Sequence, residues 1–374
     1  MTINELYESN ELHLPINWKL SNYDSYYSCV INKGRNYLKI LESIEDNEFG
    51  NDSNIGVMNK GHLLRTAQRF YQLTFQTLQA YLNEGNPYKA YDVFDEIMKS
   101  DDDLGLGKQL FFYLALDNLY PASYRLRVKD SIANYGDLFH VPFELRHIVD
   151  AGRYSIPGYP TLYLSNSIFL AYKELVDPDF DSLWVSKFRH SGYYNKRESL
   201  LNMRFNPIYD TIEEKFKYLC RWILIMACRN KVGYPNAKFK SEYVIPQIIF
   251  QWTKNNIFIG GKKIIGTTYS STKIDTNNNH FKGSFYNTAI PIHTSLPDGY
   301  CHVQANRFDI TKPQNISKLI KEVKDEEIET CTQVHSVSMN GVKTKYDETD
   351  FYKVEKIVSR LEGESINEKV KDNA

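Results

Sequence analysis

The chain has 374 residues, of which 42% are apolar and 24% charged, with 45 Lys+Arg against 46 Asp+Glu. That apolar share excludes a disordered protein, and the length suffices for two domains or one large domain with extensions. A formal net charge of −1 lacks the basic excess of a protein that lives on phosphate backbones or anionic lipid, so neither nucleic acid nor a membrane is expected as a partner.

Five cysteines (Cys29, Cys220, Cys228, Cys301, Cys331) are scattered and contain no CxxC pair. Neither a disulfide framework nor a zinc ribbon is therefore expected, and reduced thiols fit a cytoplasmic protein. The opening MTINELYESNELHLP has no basic segment followed by an apolar one, so no export signal is read there. The most apolar run, WILIMAC at 222–228, is far short of the roughly 20 residues a bilayer span needs and reads as core helix.

The first third, 1–118, reads as a helical region. Over 61–85 apolar residues recur at Leu63, Leu64, Ala67, Phe70, Tyr71, Phe75, Leu78, Tyr81 and Leu82, the spacing of an amphipathic helix. Gly85-Asn86-Pro87 ends it, and a second helix carries Tyr88, Tyr91, Phe94, Ile97 and Met98 on one face. An acidic turn follows at 100–106. Near Leu119 the texture changes to short strands, helices and Pro/Gly turns. Strands are expected at 122–128, 161–165 and 263–269, and helices around 167–175, 211–230 and 242–254. This mixture indicates an α+β fold rather than a regular βαβ array. Asp275–His280 (DTNNNH) reads as a polar loop. From Lys318 the chain is charged and helix-prone, and 316–374 is expected to be a charged helical tail with a frayed end.

Common catalytic signatures are absent. There is no GxxxxGK[ST], no GxGxxG after a strand, no HExxH and no GxSxG, and the nine His are dispersed. One dense stretch stands out at 139–174, FHVPFELRHIVDAGRYSIPGYPTLYLSNSIFLAYKE. A turn-rich loop with Arg153 at its base leads into the strand 161–165. Ser165 or Ser167 then caps a helix that presents Glu174 near its end.

The order of these residues resembles the RES domain family, named for an Arg, a Glu and a Ser. The likeness rests on Tyr124-Arg125-Leu126-Arg127, on Gly152-Arg153-Tyr154-Ser155 with Pro157-Gly158, and on Pro160-Thr161-Leu162-Tyr163-Leu164-Ser165. It continues with Glu174 and with Gly266-Thr267-Thr268-Tyr269-Ser270-Ser271, and closes on Phe285-Tyr286 through Ile290-Pro291 and Gly299-Tyr300-Cys301. It covers 119–315, about half the chain. The resemblance implies an ADP-ribosyltransferase-like core and an enzyme that consumes NAD as a toxin. Carried over by position, Arg125, Glu174 and Ser271 are the expected catalytic residues, and Tyr163, Arg153 and Tyr124 the expected dinucleotide-binding ones. Ser270 stands where the family often has Pro, which leaves Ser270 and Ser271 both open for the serine.

The chemistry agrees with that assignment. Cleaving nicotinamide from ribose develops positive charge on the sugar, which a fixed carboxylate stabilises, as in glycoside hydrolysis. A diphosphate suits bidentate guanidiniums, and a cationic nicotinamide ring suits the face of a Tyr. NAD is then the substrate and no metal is required. The acceptor is water (a glycohydrolase) or inorganic phosphate (a phosphorylase). The alternatives are ADP-ribose transfer to a macromolecule and a non-catalytic nucleotide-binding or interaction protein. An antitoxin or regulatory protein is an expected partner, and self-association stays open. Taken singly, each residue also has a bland reading: Arg125 or Arg127 as the cation of a surface ion pair, Tyr163 as strand packing, Arg153 as a brace of its loop through carbonyls, Glu174 as solvated surface.

Overall fold

A computed structural model describes residues 1–45, 58–100, 110–114, 116–117, 122–132, 134–175, 178–191, 197–205, 209, 211–255, 257–274, 285–293, 299–323, 336–339 and 342–366. The acidic turn at 101–106, the polar loop at 275–280 and Cys331 lie outside them. In chain order the helices are α1 (Ile3–Glu8), α2 (Tyr26–Leu41), α3 (Lys60–Leu78), α4 (Pro87–Lys99), α5 (Ile168–Glu174), α6 (Ile212–Cys228), α7 (Val244–Lys254), α8 (His302–Arg307), α9 (Ile316–Val323) and α10 (Asp350–Arg360). The strands are β1 (Leu116–Asp117), β2 (Ser123–Val128), β3 (Thr161–Ser165), β4 (Leu183–His190), β5 (Glu198–Met203), β6 (Phe258–Ile259), β7 (Lys262–Ser270), β8 (Tyr286–Pro291), β9 (Phe308–Ile310), β10 (Gln314–Asn315), β11 (Ser336–Met339), β12 (Val342–Lys345) and β13 (Glu364–Ser365). The protein is α+β.

The chain divides into two compact units: 1–117, 151–154 and 201–264 in one, and 118–150, 155–200 and 265–374 in the other. These boundaries differ from the consecutive blocks 1–118, 119–315 and 316–374 expected from the sequence. The first unit is helical. Asn59 caps α3 through its side chain and Asn86 caps α4, with Pro87 in the first turn where its missing N–H costs nothing. Helix α6 runs from a Thr211–Glu214 capping box into 222–228, buried along its whole length. An all-round apolar helix needs helices on several sides, and α1, α2, α3 and α7 supply them. That requirement draws 201–264 into this unit and away from the expected central domain.

The second unit is built on an antiparallel sheet in the order β7-β8-β3-β2-β4-β9-β13, with β10 added to β4. One face carries Tyr124, Leu126, Leu183 and Val185 under α5, α9 and α10. Phe169, Phe285, Tyr346 and Phe351 fill the space with tilted and edge-on ring contacts. The other face buries Leu162, Leu164, Phe188 and Ile290 against Leu138, Phe139, Cys301 and Ile366.

The described part of the C-terminal segment, up to Ile366, thus packs into the unit rather than forming a free charged tail, and 367–374, at the end expected to fray, lie outside the described residues. Val354 and Val358 are buried in the first layer and Ile366 in the second. Lys187 of β4 donates through Nζ to the carbonyls of Ser359 and Leu361, placing a cation where α10 ends in unpaired carbonyls. Glu364 and Ser365 pair with Ile310 and Asp309 of β9.

Candidate active site

Glu174, Ser271 and Asn287 meet on the layer that contains α5. Helix α5 is only seven residues long and starts at Ser167, whose hydroxyl accepts the N–H of Leu170. A second acceptor, Glu355 Oε2 from α10, takes the N–H of Ile168 at 2.9 Å and the hydroxyl of Tyr346 at 2.7 Å. Burial pushes the Glu355 carboxyl up to about 7. Both ends of this short helix matter, because its last residue is Glu174.

Glu174 sits where the helix dipole disfavours an anion, so something else must hold it. Its Oε1 accepts two hydrogen bonds, from Ser271 Oγ at 2.7 Å and from Asn287 Nδ2 at 2.7 Å. Each donor is fixed in turn. Ser271, 2% exposed just past the end of β7, accepts the N–H of Lys273 on its hydroxyl. Asn287, 3% exposed on β8, accepts Ser165 Oγ at 2.5 Å on Oδ1, which orients the amide. The sheet register explains the meeting: Asn287 lies opposite Ser165 on β3 and opposite Tyr269 on β7. Oε2 of Glu174 has no partner among the described residues, and the side chain is exposed. The result is an anchored carboxylate with one oxygen presented outward.

Of the two candidate serines, Ser271 bonds Glu174; Ser270 stays in the β7 ladder, paired with Tyr286. Sequence reasoning missed Asn287 and gave Ser165 a capping role at most. The one available signal was the order FYNTAIP at the end of the resembling block, which marks a segment without marking its amide.

Arg125 lies next to this network across β2 and β3. The only paired rung between these strands is Tyr124 with Ser165; continued two residues further, the ladder would set Leu126 opposite Tyr163. There the Arg125 Nη1 donates to the Tyr163 carbonyl at 2.8 Å instead. The Arg125 guanidinium is pushed down to about 9 by burial and by the neighbouring Arg127 charge, so it remains a cation at neutral pH. The half-exposed Tyr163 follows one residue after Leu162 and two before Ser165, on the face that carries Ser165 and Asn287. Tyr163 on β3, Glu174 at the end of α5 and Ser271 after β7 thus lie on the α5 face, with β8 between β3 and β7, whereas the Arg125 side chain alternates to the opposite face of β2.

Two expected dinucleotide-binding residues are placed elsewhere. Tyr124 alternates inward from Arg125 and is 4% exposed in the aromatic layer, which leaves its ring no face for a ligand. Arg153 belongs to the helical unit. Its guanidinium donates to the carbonyls of Cys228 and Asn230 at 2.8 and 3.0 Å and lies over the Tyr243 ring, so it closes the C-terminal end of α6. A guanidinium forks onto exposed helix-end carbonyls as readily as onto a phosphate, and here the carbonyls are the nearer acceptors.

Behind β2, on the face opposite Tyr124, His140 is fully buried. Its Nδ1 meets the Val141 carbonyl at 2.8 Å, and its Nε2 accepts the N–H of Cys301 at 2.8 Å. Burial, with the charges of Arg125 and Arg127, pushes this imidazole down to about 4, so it is neutral at physiological pH. Among the described residues no group of three or more His, Cys, Asp or Glu could hold a metal ion, and no helix is long and apolar enough to cross a membrane.

No family model matches the chain, and no solved structure matches it. The chain is similar to a Bacillus subtilis (strain 168) protein named "Putative toxin YopC", with 28% identity over 262 residues. The likeness takes in 66% of this chain and 58% of that protein, so the chain spans a little over half of that relative's length. What it establishes is kinship with a protein that bears a toxin name.

Proposed function

We propose that the chain is an NAD-consuming, toxin-like enzyme that cleaves the bond between nicotinamide and ribose. The observation that carries this reading is the anchoring of Glu174: one oxygen held by Ser271 and Asn287, the other presented. The half-exposed Tyr163 ring on the Glu174 face supports a dinucleotide there; Arg125 keeps N–H donors uncommitted but carries them on the opposite face of β2. The toxin name of the relative and the ordered RES-like residues support the same reading.

In this mechanism Oε2 of Glu174 takes a ribose hydroxyl while the fixed negative charge faces the carbon that loses nicotinamide. The C–N bonding pair leaves on the nicotinamide nitrogen and neutralises the ring. Water or inorganic phosphate then supplies a new pair to that carbon, and its proton passes to Glu174 or to solvent. Ser271 and Asn287 do not react. They hold the carboxylate aimed through two hydrogen bonds on one oxygen. Tyr163 offers its ring face to the cationic nicotinamide.

The test is purified protein with NAD, followed by quantitation of nicotinamide with and without phosphate. Glu174→Gln keeps the size of the side chain and removes its charge, and is expected to lower nicotinamide release by about 100-fold or more. Equal release by wild type and variant, or none by wild type, overturns the proposal. ADP-ribose found attached to a macromolecule would replace water and phosphate as the acceptor.

A further inference from the structure

We propose that Glu355, on α10, is a positioning residue for Glu174: it holds the start of α5 and so sets where the far end of that helix carries the reacting carboxylate. Glu355 lies beyond 119–315, so the resemblance to a family assigns it no part. A helix leaves its first N–H groups without partners of its own. A capping side chain serves the second or third of them, and Ser167 Oγ takes the third, from Leu170 at 3.1 Å. The first, on Ile168, goes instead to Glu355 Oε2 at 2.9 Å.

This acceptor is fixed from its own side. Tyr346 donates its hydroxyl to the same Oε2 at 2.7 Å, and the Tyr346 carbonyl accepts Thr349 Oγ1 at 2.6 Å where α10 begins. At its other end α10 is tied to β4 by Lys187. The Ile168 contact is therefore a directed bond from an anchored helix to one of seven residues, which has little stability alone. Such a helix spans about 10 Å and moves as one piece, so a shift at Ile168 reaches Glu174. The Phe169 ring packs against Phe285 and Phe351, but apolar contact is non-directional and leaves sliding along the helix axis open.

The inference rests on the NAD reading only for the rate in which it is measured; the contact itself is read without NAD. Two substitutions separate reach from charge. Glu355→Asp keeps the carboxylate and is shorter by one methylene, about 1.5 Å, which breaks the Ile168 bond. Glu355→Gln keeps the length, and because both donors meet on one oxygen, a Gln carbonyl can take its place. Glu355→Asp is expected to lower kcat for nicotinamide release by about tenfold or more with KM for NAD little changed, and Glu355→Gln to keep kcat within about threefold. Val358→Ala, on the buried stripe of α10 but outside the Ile168 bond, is the control, expected to lower the melting temperature and leave kcat unchanged. The second readout is the NMR signal of the Asn287 side-chain amide in asparagine-labelled protein, identified by its loss in Asn287→Asp. That amide donates to Glu174 Oε1, so its shift follows the carboxylate directly. It is expected to move in Glu355→Asp and to stay in place in Glu355→Gln and Val358→Ala.

Equal kcat in wild type and Glu355→Asp overturns the positioning role. So does a loss in Glu355→Gln, or in Val358→Ala, as large as in Glu355→Asp. Should Glu355→Asp lack a cooperative melt, Tyr346→Phe, which removes the hydroxyl that aims Oε2, takes its place, and an unmoved Asn287 signal then overturns the role. A moved Asn287 signal in Glu355→Asp without NAD cleavage by wild type leaves the positioning standing and removes the enzyme reading. NAD cleavage by wild type, with kcat and the Asn287 signal unchanged in Glu355→Asp, does the reverse.

Discussion

Replacing the Asn287 amide by a carboxylate turns the anchor of Glu174 into its opponent. Asn287→Asp preserves shape and still accepts Ser165 Oγ, but it sets a carboxylate oxygen against Glu174 Oε1, which now receives Asn287 Nδ2 at 2.7 Å. Two unit charges at 4 Å repel by about 4 kcal/mol at an effective dielectric near 20. Glu174 is exposed and screened, so we expect a net destabilisation of about 2 kcal/mol at pH 8, the lost charge-assisted hydrogen bond included. The sign with pH follows from proton binding. In the folded variant one proton is shared and the pair titrates above the ordinary carboxylate range, whereas in the unfolded chain both acids titrate near 4. The contribution is therefore favourable below the unfolded value and is lost as pH rises through the raised folded one. Thermal or urea unfolding of wild type and Asn287→Asp between pH 4.5 and 8 measures it. The gap between the two proteins should widen steadily toward pH 8. A gap that stays constant across that range would refute the carboxylate–amide contact, whatever the reaction turns out to be.

Three further outcomes are expected. Glu355, raised to about 7, favours the folded state below the unfolded carboxylate value and loses that contribution as pH rises through 7, so Glu355→Gln should flatten the pH dependence of unfolding by up to about 3 kcal/mol. Arg307 grips buried Glu198 with Nε at 2.8 Å and Nη2 at 2.6 Å; Arg307→Met should cost about 3–5 kcal/mol in chemical denaturation, and adding Glu198→Leu should recover most of it. Truncation after Asn315 strips α9 and α10 from the sheet and should leave a product without a cooperative melt by circular dichroism; a sharp transition would return this segment to the status of a tail.

Helices with a clear apolar stripe were legible in the sequence. The reading at 61–85 meets α3 and the π-helical turn at Gln79–Asn83, and the strand at 161–165 coincides with β3. Strands β4 and β8 were not legible, because β8 (YNTAIP) is buried on both faces and its mixture of Asn, Thr and Pro gives no alternation to read. The C-terminal segment misled for a related reason. Apart from Glu355, its charges lie off the buried stripe of α10, while Phe351, Val354 and Val358, at helical spacing, are buried. Local composition weighs all of these equally.

The candidate site divides along the same line. Arg125, Glu174 and Ser271 could be picked out because their order along the chain resembles a family; the fold joins Glu174 to Ser271 by a hydrogen bond and leaves the Arg125 side chain on the other face of β2. Asn287 could not, since what singles it out is a cross-strand register with Ser165, 122 residues away. That register also accounts for how an exposed acid at the end of a seven-residue helix is held in place. Such a helix has little stability of its own. Here Glu355 and Ser167 fix its first turn, and the Phe169 ring locks its flank among Phe285 and Phe351. Ser271 and Asn287, from two adjacent strands, then hold the carboxylate itself. Either strand alone would leave Glu174 free to swing about the other bond, whereas two donors on one oxygen fix both its position and the direction in which the second oxygen points. A reacting carboxylate needs that restraint more than it needs burial, since misplacement by about 1 Å can cost roughly 100-fold in rate.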